Sequence, residues 1–134
     1  MGDKTEMGIE EFYGTGKEEV LDLEFRQLGR YLYNYEQYGE SGLGIREKDL
    51  RIDFLEKGKN YLEQKKDVIV RELKNLNICE KINSAEFKTA DKLTVVFISS
   101  VVAPLLGLPV AISMTIAEII AIYGVEKYFE CNDA

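Results

Sequence analysis

Hydrophobic residues recur at steps of three and four along a first predicted helix, from about Lys17 to Tyr38. The recurring positions are Leu21, Phe25, Leu28, Leu32 and Tyr35. At 3.6 residues per turn these positions form one stripe, so the sequence predicts an amphipathic helix that packs against the rest of the protein. Three tyrosines towards the end of this helix, Tyr31, Tyr35 and Tyr38, indicate either the rim of the core or a patch that binds a partner.

A second amphipathic helix is predicted from about Ile45 to Leu76, after a glycine-rich turn at 39–44. Its apolar residues repeat every seven positions, at Leu55, Leu62, Ile69 and Leu76. The apolar seam is narrow, because Lys59 and Lys66 occupy the positions where a coiled coil needs a second apolar row. The pattern therefore favours packing inside a helical bundle over a free-standing coiled coil.

The last third of the chain is apolar, and Glu118 is the single charged residue in the stretch 94–124. A third helix is predicted to begin near Asn83, where Glu86 three residues later completes a capping pattern. This helix should stop or bend at Pro104, because proline lacks an N–H donor and clashes with the preceding turn.

A fourth helix is predicted after Pro109, which suits a first helical turn, and it should run to about Phe129. The sequence thus predicts an all-α fold, a small bundle of about four helices whose last two form an apolar hairpin around Pro104 to Pro109. A length of 134 residues fits one domain. We expect residues 1–16 to be a flexible acidic lead-in and 17–134 a single helical domain, with amphipathic helices at 17–80 and the apolar hairpin or membrane segment at 84–130.

Each predicted arm of the hairpin carries small residues four positions apart. These residues are Ser99, Ala103 and Gly107 on the first arm and Ser113, Ala117 and Ala121 on the second. Such rows let two helix backbones approach closely, both within membranes and in soluble cores. Glu118 lies next to the second row, and a carboxylate on an apolar helix is expected at a water boundary, hydrogen-bonded, or lining a shared polar space.

The apolar segment is compatible with three geometries. From Leu93 to Ala117 the chain has 25 residues without a charge, which is enough for one kinked crossing of ~30 Å of hydrocarbon. The same segment could form a hairpin at a membrane, or the core of a soluble bundle completed by oligomerisation. If it crosses a membrane, the lysines that precede it predict a cytoplasmic N-terminal region. Those lysines are Lys74, Lys81, Lys88 and Lys92, whereas only Lys127 follows.

Composition excludes several classes of function. The chain has no histidine, which removes the Ser/His/Asp and Cys/His catalytic arrangements and the common zinc sites. Acidic pairs on the second predicted helix are explained by a solvated surface, so we predict neither catalysis nor a cofactor or metal. A net charge of −7 argues against a nucleic-acid partner, which needs a concentrated cationic face.

The two cysteines, Cys79 and Cys131, form no CxxC motif and are too few for a disulfide framework. They are predicted to be reduced structural thiols in a cytosolic compartment. Residues 1–20 are acidic and lack an apolar core, so no secretory signal is expected there.

Two functions remain open. The first is a non-enzymatic helical protein that associates with or inserts into a membrane through its apolar C-terminal segment, with a cytoplasmic helical region for assembly or sensing. The second is a soluble homo-oligomeric interaction protein, such as an immunity factor, antitoxin or adaptor, whose hairpin is its core. In that case the tyrosines at 31, 35 and 38 and the acidic N-terminus would meet a protein partner.

Overall fold

The computed structural model describes residues 17–42, 52–83 and 91–131. Within these ranges the chain forms six α-helices and one short 3-10 turn at Glu40–Gly42, with no strand. The helices are α1 Lys17–Tyr38, α2 Phe54–Asn75, α3 Ile78–Lys81, α4 Asp91–Leu106, α5 Val110–Tyr123 and α6 Val125–Tyr128. Four of them are long, and the predicted all-α bundle is confirmed. The predicted lead-in at 1–16 and the capping residue Glu86 lie outside the described residues.

Helix α1 ends at Tyr38, the predicted last residue, and it packs antiparallel against α2. The two backbones approach closely at two glycines in the helix interiors. A Cβ atom at Gly29 would lie 2.0 Å from the carbonyl oxygen of Phe54, and one at Gly58 would lie 2.2 Å from that of Phe25. Because no side chain fits at such distances, these glycines set the spacing between α1 and α2.

Helix α2 begins later than predicted. Residues 43–51 lie outside the described part, but Ile52 and Asp53 are not helical, and the carboxylate of Asp53 accepts a hydrogen bond from the Glu56 N–H at 3.0 Å. This is an N-cap, which satisfies one of the free N–H groups at a helix start. The prediction of one continuous helix from Ile45 is therefore wrong.

The predicted seven-residue repeat of buried positions in α2 is also only partly correct. The buried residues of this helix are Gly58, Leu62, Ile69 and Leu73, whereas Leu76 is exposed. A straight α-helix turns about 20° per heptad relative to a strict seven-residue repeat, so a heptad row drifts away from the core. The buried stripe follows the 3.6-residue period instead.

Helices α4 and α5 form the predicted hairpin, but its turn lies at 107–109. Gly107 has a φ of +66°, and the Leu108 N–H donates to the carbonyl of Ala103 at 2.9 Å. This 6→1 bond across a left-handed glycine is a Schellman motif, which ends a helix and satisfies its last carbonyls. Pro104 lies inside the last turn of α4 and does not form the turn, which corrects its predicted role. Pro109 is the N-cap residue of α5, directly before its first helical turn.

Helix α5 is the centre of the bundle, since it packs against both α1 and α4. It is apolar on nearly all sides, as a helix enclosed by others must be. Its buried residues are Ile112, Ser113, Thr115, Ile116, Ala117, Ile119 and Ile120. They join buried residues of α1, α2 and α4, which are Leu21, Leu28, Leu32, Leu62, Ile69, Leu73, Ile98 and Val102. Gly124, with a φ of +122°, separates α5 from α6, so the predicted single helix to Phe129 is two helices.

Cys79 and Cys131 form a disulfide, with their Cα atoms 5.4 Å apart. The prediction of two reduced thiols is wrong, because the fold brings α3 beside the segment that follows α6. The amide of Asn83 donates to the carbonyl of Cys79 at 3.0 Å and so closes the end of α3. The bridge ties the connection after α2 to the end of the bundle.

Candidate functional site

The small residues of the hairpin differ in burial along its length. Ser113 and Ala117 are fully buried and Ser99 is nearly so, whereas Gly107 is exposed at the turn. Ala103 and Ala121 are half-buried. The hydroxyl of Ser99 donates to the Val96 carbonyl at 3.1 Å, within its own helix. The rows are therefore buried at Ser99, Ser113 and Ala117 and exposed at Gly107 in the turn.

From Leu93 to Gly107, the side of α4 that faces away from the bundle carries no charge. We call this surface the α4 face, and it consists of Leu93, Val96, Ser100, Pro104 and Gly107, with Val110 and Ala111 at the hairpin tip. Val96 is 54% exposed and Val110 is 69% exposed. A contiguous exposed apolar surface of this kind is typical of an interaction site.

The one exposed hydroxyl on the α4 face is satisfied within the helix. Ser100 Oγ donates to the carbonyl of Phe97 at 2.8 Å. Such back-bonding leaves no free hydroxyl donor on the surface. The α4 face therefore tolerates an apolar environment, where an unpaired donor would be costly.

Cations lie at the opposite end of α4 from the hairpin tip. Lys92 is exposed in the first turn, and the Nζ of Lys81 lies 5.3 Å from the centroid of the Phe97 ring. The charged residues of α4 are thus confined to its first turn, whereas the tip of the hairpin is uncharged. This separation is common in segments that contact the boundary between water and lipid.

Glu118 is half-buried on α5 and lies beside Glu24 of α1. Burial, together with the negative charge of Glu118 and a hydrogen bond between the two side chains, raises the pKa of Glu24 to about 7. Near neutral pH Glu24 is therefore partly protonated, and its protonated form donates that hydrogen bond to Glu118. The pair couples the packing of α1 on α5 to pH.

Glu24 was not among the residues that the sequence pattern selects, although the sequence carries a weak signal for it. Glu24 lies three residues after Leu21 and four before Leu28, both of which are buried. An acid at this spacing lies at the edge of the apolar stripe. The pattern places it near the core, but nothing local identifies Glu118 as its neighbour.

The three tyrosines of the predicted partner patch do not form one exposed surface. Tyr31 and Tyr35 are half-buried and pack against the core, and the Tyr31 hydroxyl accepts a hydrogen bond from the Gln27 amide at 3.0 Å. Tyr38 is 51% exposed, and its side chain lies over Gly42 of the 3-10 turn. The structure therefore leaves mainly Tyr38 for an outside partner.

No protein-family model matches this chain, and neither does any curated protein or solved structure. Of the helices in 17–42, 52–83 and 91–131, none has both the length and the apolar character required to cross a bilayer.

Proposed function

We propose that this protein is a non-enzymatic helical protein that binds a lipid surface through the α4 face and the tip of the α4–α5 hairpin. The observation that carries the proposal is the uncharged, exposed strip from Leu93 to Ala111, which has valines at two of its most exposed positions. An apolar helix face beside cationic residues is the arrangement by which helices lie in the boundary between lipid headgroups and acyl chains.

The dimensions of the hairpin favour lying at the membrane surface over crossing it. In the described part of the chain, helix α4 has 16 residues, which is ~24 Å at 1.5 Å per residue. This is shorter than the ~30 Å of a hydrocarbon core. Helix α5 is shorter still and is enclosed by α1 and α4, so the α4 face is the part available to lipid without unfolding.

The disulfide between Cys79 and Cys131 is relevant to the compartment in which the protein acts. Disulfides persist in oxidising compartments and are rare in the cytosol. We therefore propose that the helical domain acts in an oxidising compartment or outside the cell. If the hairpin spans a membrane, the lysine distribution instead favours a cytoplasmic N-terminal region. Measuring the thiol content of the protein isolated under alkylating conditions distinguishes the two placements.

Flotation with neutral phosphatidylcholine vesicles tests the proposed function. Neutral lipid is chosen because the chain carries a net charge of −7 and would be repelled by anionic lipid. Wild-type protein should float with the vesicles, and Val96→Glu and Val110→Glu should each remain in the soluble fraction. Both residues are exposed, so neither change removes a core contact.

A matched control is available on α1. Leu23 is 66% exposed on α1 and is not part of the α4 face, so Leu23→Glu introduces the same charge into an exposed apolar position and should leave flotation unchanged. The proposal fails if wild-type protein does not bind vesicles. It also fails if Leu23→Glu reduces binding as much as Val96→Glu.

A second candidate function is self-association through the α4 face. The specific observation is that the α4 face carries the small residues Ser100, Pro104 and Gly107. Small residues at a helix surface let another helix approach closely. A protein of this kind should show a concentration-dependent dimer by sedimentation velocity without lipid, lost in Val96→Glu. A monomer that floats with vesicles excludes this second function.

A further inference from the structure

A cavity of about 290 Å³ lies between α1, α2, α5 and α6, away from the α4 face. Its walls are mainly apolar and aromatic, with three charged residues from α2. The lining residues are Leu21, Phe25, Lys59, Leu62, Glu63, Lys66, Ile119, Ile120, Tyr123 and Tyr128. A volume near 300 Å³ is at the lower end of the range for small-molecule sites in proteins.

The floor and the mouth of this cavity have different chemistry. Leu21, Leu62, Ile119 and Ile120 are buried and make the floor apolar. Lys59 and Glu63 are exposed and mark the mouth, with Lys66 half-buried between α2 and α6. A ligand that fits both parts has an apolar tail and a polar head.

The two lysines are held over aromatic rings of the cavity wall. The Nζ of Lys59 lies 5.9 Å from the centroid of Phe25, and the Nζ of Lys66 lies 5.5 Å from that of Tyr128. Neither ammonium forms an ion pair with a carboxylate in the described part of the chain. Among the residues that line the cavity, two are cations and one is an acid, Glu63, on a protein that is acidic overall.

Tyr128 supplies a second, independent observation. This residue is only 6% exposed, and its hydroxyl is buried without a hydrogen-bond partner among the described residues. Burial, with a smaller contribution from the nearby charge of Asp67, raises the pKa of Tyr128, so the hydroxyl keeps its proton at neutral pH. A buried donor without an acceptor is destabilising, and an acceptor oxygen on a ligand would relieve that cost.

We propose that this cavity binds a single-chain anionic amphiphile of medium length, such as a fatty carboxylate. The carboxylate lies between Lys59 and Lys66 at the mouth, and the chain extends over the apolar floor. At ~30 Å³ for each methylene-sized group, the cavity accommodates about ten of them. The site is separate from the α4 face and does not require the lipid binding proposed above.

Isothermal titration of the full-length protein with sodium decanoate, below the critical micelle concentration, tests this proposal. Wild-type protein should show saturable binding of one decanoate per chain. The variant Lys59→Gln/Lys66→Gln should bind about tenfold more weakly, because it loses two partly exposed charge pairs. Lys65→Gln is the matched control, since Lys65 is on the same helix but stacks on Tyr61, outside the cavity, and it should bind as wild type does.

Two further measurements separate the cavity from a surface effect. Leu62→Phe places an aromatic ring, which is larger than the leucine side chain, in the cavity. This change should weaken decanoate binding, provided that the circular dichroism and melting of the variant match those of wild type. Decyltrimethylammonium, with a cationic head, should bind far more weakly than decanoate. The proposal is overturned by the absence of saturable binding in wild type, by equal affinity for the two amphiphiles, or by unchanged affinity in the double lysine variant.

The experiment also distinguishes this site from the α4 face. Val96→Glu should abolish vesicle flotation and leave decanoate binding unchanged, because Val96 is not part of the cavity. Loss of decanoate binding in Val96→Glu would contradict the cavity as the binding site.

Discussion

Lowering the pH from 8 to 5 should stabilise this fold, because folding raises the pKa of Glu24. Its ordinary value of 4.5 applies to the unfolded chain, and the folded value is about 7. A carboxyl group with a raised folded pKa binds a proton more tightly when the protein is folded. Its contribution to stability is therefore fully present below pH 4.5 and is lost as the pH rises through about 7.

The magnitude follows from these two pKa values. Proton linkage between 4.5 and about 7 gives a difference in the free energy of unfolding of about 2.5 kcal/mol between pH 8 and pH 5. Glu24 and Glu118 are both partly exposed, so solvent screening reduces this value. We expect a gain in stability of about 1–2 kcal/mol over this pH range.

Urea unfolding at a series of pH values between 5 and 8 measures this gain. Few other side chains titrate between pH 5 and 8 in this protein, because histidine is the one that ordinarily does so and the chain has none. Both cysteines are in the disulfide and do not titrate. A change in the free energy of unfolding across this range can therefore be assigned to Glu24 with few competing groups.

Variants of the pair separate the causes of the raised pKa. Glu24→Gln should remove the pH dependence between 5 and 8. Glu118→Gln should reduce it but not remove it, since burial is the largest cause, and should stabilise the protein at pH 8 by roughly 0.5–1 kcal/mol by removing the repulsion. Glu126→Gln changes an exposed acid on α6 and should keep the wild-type dependence. A wild-type stability that is constant or falls from pH 8 to 5 refutes the reasoning.

Two stability predictions concern the contacts that hold the bundle together. Gly58→Ala should destabilise the protein by about 2–3 kcal/mol in urea unfolding, because its Cβ would meet the Phe25 carbonyl oxygen at 2.2 Å. Asn60→Ala on the exposed side of α2 should instead stabilise by ~0.5 kcal/mol through helix propensity alone, and a stabilised Gly58→Ala would contradict the close approach. Replacing both Cys79 and Cys131 with serine should cost about 4 kcal/mol, since the bridge closes a loop with a sequence separation of 52. An unchanged melting temperature would show that the bridge does not form.

The features that could be predicted from the sequence are those set by neighbouring residues. The stripe from Leu21 to Tyr35 defines α1 to its last residue, since an amphipathic period and a following glycine are local signals. The hairpin is predicted for the same reason, although its turn is set by Gly107. A glycine in the left-handed region ends a helix more sharply than a proline in its last turn.

The features that could not be predicted join residues far apart in the chain. Nothing near Cys79 indicates Cys131, and nothing near Glu118 indicates Glu24, because each pairing depends on how the helices are arranged in three dimensions. The close approach of α1 and α2 is an intermediate case. A glycine in a helix interior costs ~1 kcal/mol, so Gly29 and Gly58 signal a packing role without identifying the partner.

The carboxyl pair of Glu24 and Glu118 should act independently of the α4 face. A test of this independence shows how lipid is bound. Glu24 and Glu118 lie where α1 packs on α5, whereas Val96 and Val110 are already exposed in the folded bundle. Binding through a preformed surface requires no separation of α1 from α5. Flotation with neutral vesicles should therefore give the same bound fraction at pH 5 and pH 8, in wild type and in Glu118→Gln. Stronger binding at pH 8 in wild type, reduced in Glu118→Gln, would instead mean that repulsion within the pair opens the bundle and that lipid binds the released hairpin.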